Sequence, residues 1–121
     1  IDFFKAVNDC HGHELGDVVL QEFAVTVKDC IRENDGFARW GGEEFILACP
    51  EIHPASLITI AEKIRASIER QQFSHLQLSI TVSIGASHGN SNDLSMIIRE
   101  ADAALYNAKA QGRNCVLAAD N

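Results

Sequence analysis

From Asp17 onward, apolar residues recur at spacings of three and four: Leu20, Phe23, Ala24, Val27, Cys30 and Ile31. That period lays one continuous stripe along a helix and predicts an α-helix buried on that side. Two later stretches repeat it. Leu57, Ile60, Ala61, Ile64 and Ile68 follow Pro54, whose missing N–H costs nothing in a first helical turn. Leu94, Ile97, Ile98, Ala101, Leu105 and Ala108 follow Asn92 and Asp93, either of which can cap the helix, and Gly112 supplies its stop. Between the last two helices the period changes to two. Leu78, Ile80, Val82 and Ile84 alternate with Ser79, Thr81 and Ser83, predicting a strand over about residues 76–86.

Residues 36–40 and 43–49 read as two strands joined by a tight turn at Gly41-Gly42, and 115–118 as a short last strand. Ile1-Asp2-Phe3-Phe4 reads as the end of a strand, with polar, glycine-bearing loops at 8–17 and 87–92. The order is strand end, helix, hairpin, helix, strand, helix, strand. It predicts an α+β fold, a mixed β-sheet flanked by helices and related to the split βαβ arrangement. With 121 residues and no repeat or linker, residues 1–121 are expected to form one domain.

Composition narrows the functional classes. At 46% apolar and 22% charged, the chain is neither disordered nor fibrous in type. No apolar run approaches the roughly 18–20 residues that span a bilayer. Seventeen acids against ten bases leave a formal charge of -7, a poor match to a nucleic-acid polymer. A small anionic substrate would need metal ions or a few well-placed bases. Cys10, Cys30, Cys49 and Cys115 form no CxxC pair, which argues against a zinc knuckle or redox motif and fits a reducing, cytoplasmic setting.

The chemistry concentrates around Gly41-Gly42-Glu43-Glu44-Phe45. Two glycines allow close approach of a bulky ligand, and a carboxylate at such a turn can hold a hard cation such as Mg²⁺. Neighbouring strand residues point to opposite sides, so Glu43 and Glu44 cannot serve one metal in the same way. The same turn would also suit two solvated acids. Asn8 and Asp17 can read a purine edge, or can serve as a turn former and a helix N-cap. Lys5 can meet a phosphate or lie solvated at a strand end. Lys109 and Arg113, flanking Gly112, can clamp a phosphate or simply face the negative end of the last helix. His11 and His13 have no further ligand cluster for zinc. Ser79 and Ser83 lack a nucleophile elbow.

Taken in order, these stretches resemble the GGDEF family, the catalytic domain of diguanylate cyclases. The matching pieces begin with Ile1-Asp2-Phe3-Phe4-Lys5, Asn8-Asp9, Gly12-His13 and Gly16-Asp17. They continue with Ala38-Arg39-Trp40-Gly41-Gly42-Glu43-Glu44-Phe45, Ala61-Glu62-Lys63-Ile64-Arg65 and Thr81-Val82-Ser83-Ile84-Gly85. Ala101-Asp102-Ala103-Ala104-Leu105-Tyr106, Lys109 and Gly112-Arg113-Asn114 complete the series, which runs to residue 116. Each piece is short; the ordered series is specific. The resemblance implies a palm-like, ferredoxin-like fold similar to nucleotidyl cyclases. It also implies condensation of two GTP into cyclic di-GMP and pyrophosphate with Mg²⁺ or Mn²⁺, by two domains facing each other as a homodimer.

Carried over by position, Glu43 matches a metal-ligating glutamate and candidate general base, and Glu44 the second signature acid. Ile1 matches a residue whose backbone carbonyl contacts metal, and Lys5 a lysine that stabilises transition-state charge. Asn8 and Asp17 match the guanine-recognising pair, His13 a nucleotide contact, Gly41 and Gly42 the substrate turn, and Lys109 and Arg113 the phosphate bases. Arg32-Glu33-Asn34-Asp35 matches the RxxD motif of an inhibitory product site, with Lys63 a basic partner; a solvated helix end is the plainer alternative. The family pattern Asp-x-Asp-x-Phe-Lys would place its first Asp, a metal ligand, before Ile1, with most of the first strand. The sequence is therefore expected to be part of a longer protein with an upstream sensory or receiver module, in the cytoplasm or as the cytoplasmic part of a membrane-bound sensor. These residues by themselves are expected to have little cyclase activity. A non-catalytic module binding GTP or cyclic di-GMP is the alternative, and the retained Glu43 and Glu44 favour the enzyme.

Overall fold

In the computed structural model, residues 1–73, 78–89 and 93–119 are described, Leu78 through its backbone alone. The chain enters through residues 1 and 2, which pair without forming a strand. The Asp2 N–H donates to the Thr81 carbonyl at 3.0 Å, and the Ile1 nitrogen to the Glu43 carbonyl at 3.0 Å. Helix α1, Phe4–His11, begins immediately, and α2, His13–Lys28, follows after Gly12. The strand end expected over residues 1–4 is instead an entry and turn that runs into α1 at Phe4, and the loop expected over 8–17 is helical on either side of Gly12. Phe4 and Val7, three apart, bury one face of α1, and Gly16 lies buried ahead of Val19, Leu20, Phe23 and Val27 on α2. Contact between the two helices overrides the polar character of His11, His13 and Glu14, which stay outside. Asp17 lies within α2 rather than at its cap.

Strands β1, Gly36–Gly41, and β2, Glu44–Ala48, form the expected antiparallel hairpin. Phe37 stacks on Phe45 with ring centroids 5.2 Å apart, and Phe23 of α2 sits 4.9 Å from Phe45. Helix α3, Pro54–Arg70, opens on Pro54 with the His53 ring accepting from the Ala55 N–H, and buries Ala61, Ile64 and Ile68. Strand β3, Gln72–Phe73, pairs antiparallel with β4, Leu78–Ser79, and β5, Ile84–Ala86, runs parallel to β6, Val116–Ala118. Helix α4, Leu94–Ala110, is capped by Asp93, whose carboxylate accepts from the Met96 N–H; Asn92, the alternative cap, lies outside the described residues.

Where one strand was expected over 76–86, the chain forms β4 and β5, with residues 76 and 77 outside the described set. Among the described residues the strands make three two-stranded ladders rather than one continuous mixed sheet. Thr81 takes one main-chain bond from Asp2, too few to extend a ladder across the gap. The alternation holds at Ile80 and Val82, buried with Phe4, Val19, Val27, Ile68 and Phe73 in one core, but not at Ser83, which is buried as well. Gly85 explains how α4 lies so close to β5. A Cβ there would stand 2.2 Å from the Ala101 carbonyl oxygen and 2.3 Å from the Leu105 nitrogen. No described helix is long and apolar enough to cross a membrane.

Candidate active site

The Gly41-Gly42 bend is built by a slip in register. Arg39 faces Phe45, but Gly41 faces Glu44, and Gly42 takes a positive φ of 41°. Arg39 Nε donates to the Gly42 carbonyl at 2.8 Å and pins the bend. Glu43 is partly buried and Glu44 exposed, as expected for neighbours at a strand start. Through its carbonyl, Glu43 meets the Ile1 nitrogen, and Asp2, Glu43, Glu44 and Lys109 all act electrostatically on that nitrogen. Three distant stretches, at 1, 43 and 109, therefore converge. Lys5 is exposed on α1.

A second cluster forms where α1 crosses α2. The Asn8 side-chain oxygen is buried and has no hydrogen-bond partner. It lies against Gly16, where a Cβ would come within 1.8 Å of it and 3.3 Å of the Phe4 ring. His13, at the first position of α2, and Asp17 are both exposed. Sequence reasoning found Asn8, but not the dependence of its rotamer on Gly16, which it read as part of a loop ahead of the helix.

Beyond α4, Gly112 adopts a φ of 114°, and its N–H and that of Arg113 return to the carbonyls of Lys109 and Ala108. Arg113 and Asn114 both follow at positive φ, 66° and 49°. The Arg113 guanidinium lies 4.7 Å from the Phe3 ring centroid, a cation–π geometry. Lys109 and Arg113 thus converge on residues 1–3, Lys109 near Ile1 and Arg113 over Phe3.

Arg32 and Asp35 stand elsewhere, at the end of α2. Nε and Nη2 of Arg32 both donate to Asp35 Oδ1, at 3.0 and 2.7 Å, and Nη2 also reaches the Pro50 carbonyl. The Arg32 guanidinium holds the Asp35 carboxyl below the usual carboxylate range. Burial, then the Asp35 charge, pushes the adjacent Cys49 thiol up. The pair borders a shallow recess of about 320 Å³ with Lys28, Ile31, Glu33 and Phe37. Lys63 is exposed on α3, and the pair closes without it.

For a metal, the donors near the bend are the Glu43 carboxylate and the Ile1 carbonyl. Both are hard oxygens, the kind Mg²⁺ takes alongside water and substrate phosphates. Among the described residues no three His, Cys, Asp or Glu side chains gather into a metal cage. The donors present therefore fit a partly solvated Mg²⁺ in kind.

Residues 1–115 match the family described as diguanylate cyclase, GGDEF domain. Diguanylate cyclase A of Treponema denticola is 41% identical over 100% of this chain and 34% of its own length. The active GGEEF domain of a diguanylate cyclase from Vibrio cholerae superposes with a TM-score of 0.93 at 35% identity, covering 100% of this chain and 79% of that one. The GGDEF domain of DgcB from Caulobacter crescentus, solved in complex with c-di-GMP, gives 0.91 at 33% identity, covering 100% and 74%. The chain spans about a third of the length of the curated relatives it matches. The α+β arrangement is that of the nucleotidyl cyclases, and the chain belongs to the GGDEF family.

Proposed function

We propose that this chain is the catalytic part of a diguanylate cyclase, condensing two GTP into cyclic di-GMP and pyrophosphate as a homodimer. The observation that supports this best is the Ile1–Glu43 main-chain bond. It seats Ile1 against the backbone of Glu43 at the glycine bend, with Lys109 in electrostatic reach of Ile1. Mg²⁺ or Mn²⁺, when bound, would neutralise phosphate charge and lower the basicity of the attacking 3′-hydroxyl. Glu43 would ligate it and accept the hydroxyl proton, with Glu44 the second acid. Lys109 and Arg113 would take the phosphates and Lys5 the charge that develops on transfer, leaving catalysis largely to orientation and charge placement.

The Asn8 oxygen supports guanine as the base. A buried acceptor without a partner costs about 1–3 kcal/mol, and that cost is recovered when the amide turns to meet an N–H donor. The guanine edge offers such donors, and Asp17, an acceptor only, suits the same edge. His13 would touch the nucleotide from the start of α2. Arg32 and Asp35, with Lys63, would form a product site at which cyclic di-GMP competes with Asp35 for the Arg32 guanidinium.

The test is GTP turnover by the full-length protein. Glu43→Gln is expected to lower product formation by about a hundredfold or more while GTP still binds. A wild type that binds nucleotide and forms no product would make the chain a binding module instead.

A further inference from the structure

Asp2 stands between Ile1 and Phe3, yet its carboxylate is fully engaged within the protein. The residue is 5% exposed. Ser83 Oγ donates to Oδ1 at 2.6 Å, Thr81 Oγ1 to Oδ2 at 2.7 Å, and the Asn114 main-chain N–H to Oδ2 at 3.1 Å. The first two bonds tie Asp2 to the segment its own N–H already meets at Thr81. The third crosses to the turn after α4, where Arg113 and Asn114 both hold left-handed backbone. That conformation costs Arg113 roughly 1–2 kcal/mol, and asparagine less, so at Arg113 it persists only where something holds the turn. The Asn114 side chain is gripped from the other side: it accepts from Arg65 Nη1 at 2.9 Å and donates to Glu69 on α3. Asp2 and α3 thus hold one turn between them, and that turn carries the guanidinium that lies over Phe3.

We propose that Asp2 is a positioning residue, which fixes the Arg113–Asn114 turn through the Asn114 amide and so aims Arg113 at a triphosphate. This rests on the reading of Arg113 as a phosphate base. The role needs acceptors in place, not negative charge. Asparagine can put its carbonyl where Oδ2 is, and its NH₂ where Oδ1 is, because the Ser83 hydroxyl can reverse and accept. Alanine cannot.

The experiment measures GTPαS affinity and GTP turnover in the full-length protein. Asp2→Ala is expected to weaken GTPαS binding and raise KM about tenfold, with kcat changed less, while Asp2→Asn stays within about threefold. In an Arg113→Ala background, Asp2→Ala is expected to add less than about twofold, because the two act through one contact. The full loss in that background overturns the proposal. So does an Asp2→Asn as damaging as Asp2→Ala, which is what a metal ligand would give. Should Asp2→Ala fail to fold, amide exchange in the wild type decides: a protected Asn114 N–H supports the anchor, and an unprotected one overturns it. A wild type that binds GTPαS but makes no cyclic di-GMP defeats the cyclase reading alone, and the cycle is then read in affinity. A wild type that does not bind it defeats both.

Discussion

A single glycine decides how Asn8 sits. With no side chain at Gly16, the Asn8 amide oxygen tucks against the α2 backbone. Gly16→Ala would drive a Cβ into that oxygen and toward the Phe4 ring, so the helices part and Asn8 is carried out of place for a base. A loss of about 1–3 kcal/mol in urea unfolding is expected, with a larger drop in GTP affinity than in the affinity for inorganic pyrophosphate, which lacks a base. Asp35 makes a second prediction at this scale. Its carboxyl is held low by Arg32, so the pairing contributes stability above about pH 4 and loses it as the pH falls through the lowered value. Asp35→Asn should therefore be less stable than wild type at neutral pH. The gap is expected to narrow on acidification, as followed by urea midpoints across the acid range.

At the scale of elements, the close seat of α4 on β5 is the sharpest constraint. Gly85→Ala places a methyl against the backbone of Ala101 and Leu105, and backbone cannot swing aside as a flexible side chain would. A loss of about 3 kcal/mol or more is expected, seen as a lowered Tm. The three long helices and the hairpin were legible in the sequence through their periods, with boundary signals at Pro54, Asp93, Gly112 and the paired glycines at 41–42; α2 lacked such signals, and it runs from His13 to Lys28 rather than from Asp17 through Ile31. Helix α1 was not legible. Its signal is two residues, Phe4 and Val7, amid polar neighbours, and their burial depends on α2 and on distant Ile80 and Val82. The division of 76–86 into β4 and β5 was equally hidden, because alternation records which face is buried and says nothing about which edges find partners.

Across the whole molecule, the candidate site joins stretches from both ends of the chain. Ile1 meets Glu43 and lies in electrostatic reach of Lys109, Asp2 reaches Asn114, and Phe3 meets Arg113. The individual residues could be picked out by family resemblance, but their couplings could not, since sequence separations of about a hundred residues leave no local trace. The acidic surface fits a substrate brought in through cations and a few bases rather than through a broad positive field. The left-handed backbone at Arg113 has a last consequence, a trade-off between durability and work. Glycine would relieve that conformation at the price of a looser unfolded chain, so Arg113→Gly is expected to melt within a few degrees of wild type, or above it. Turnover should nonetheless fall steeply in a GTP assay. That outcome would show a cation held at a backbone position better suited to glycine, serving turnover at some cost to durability.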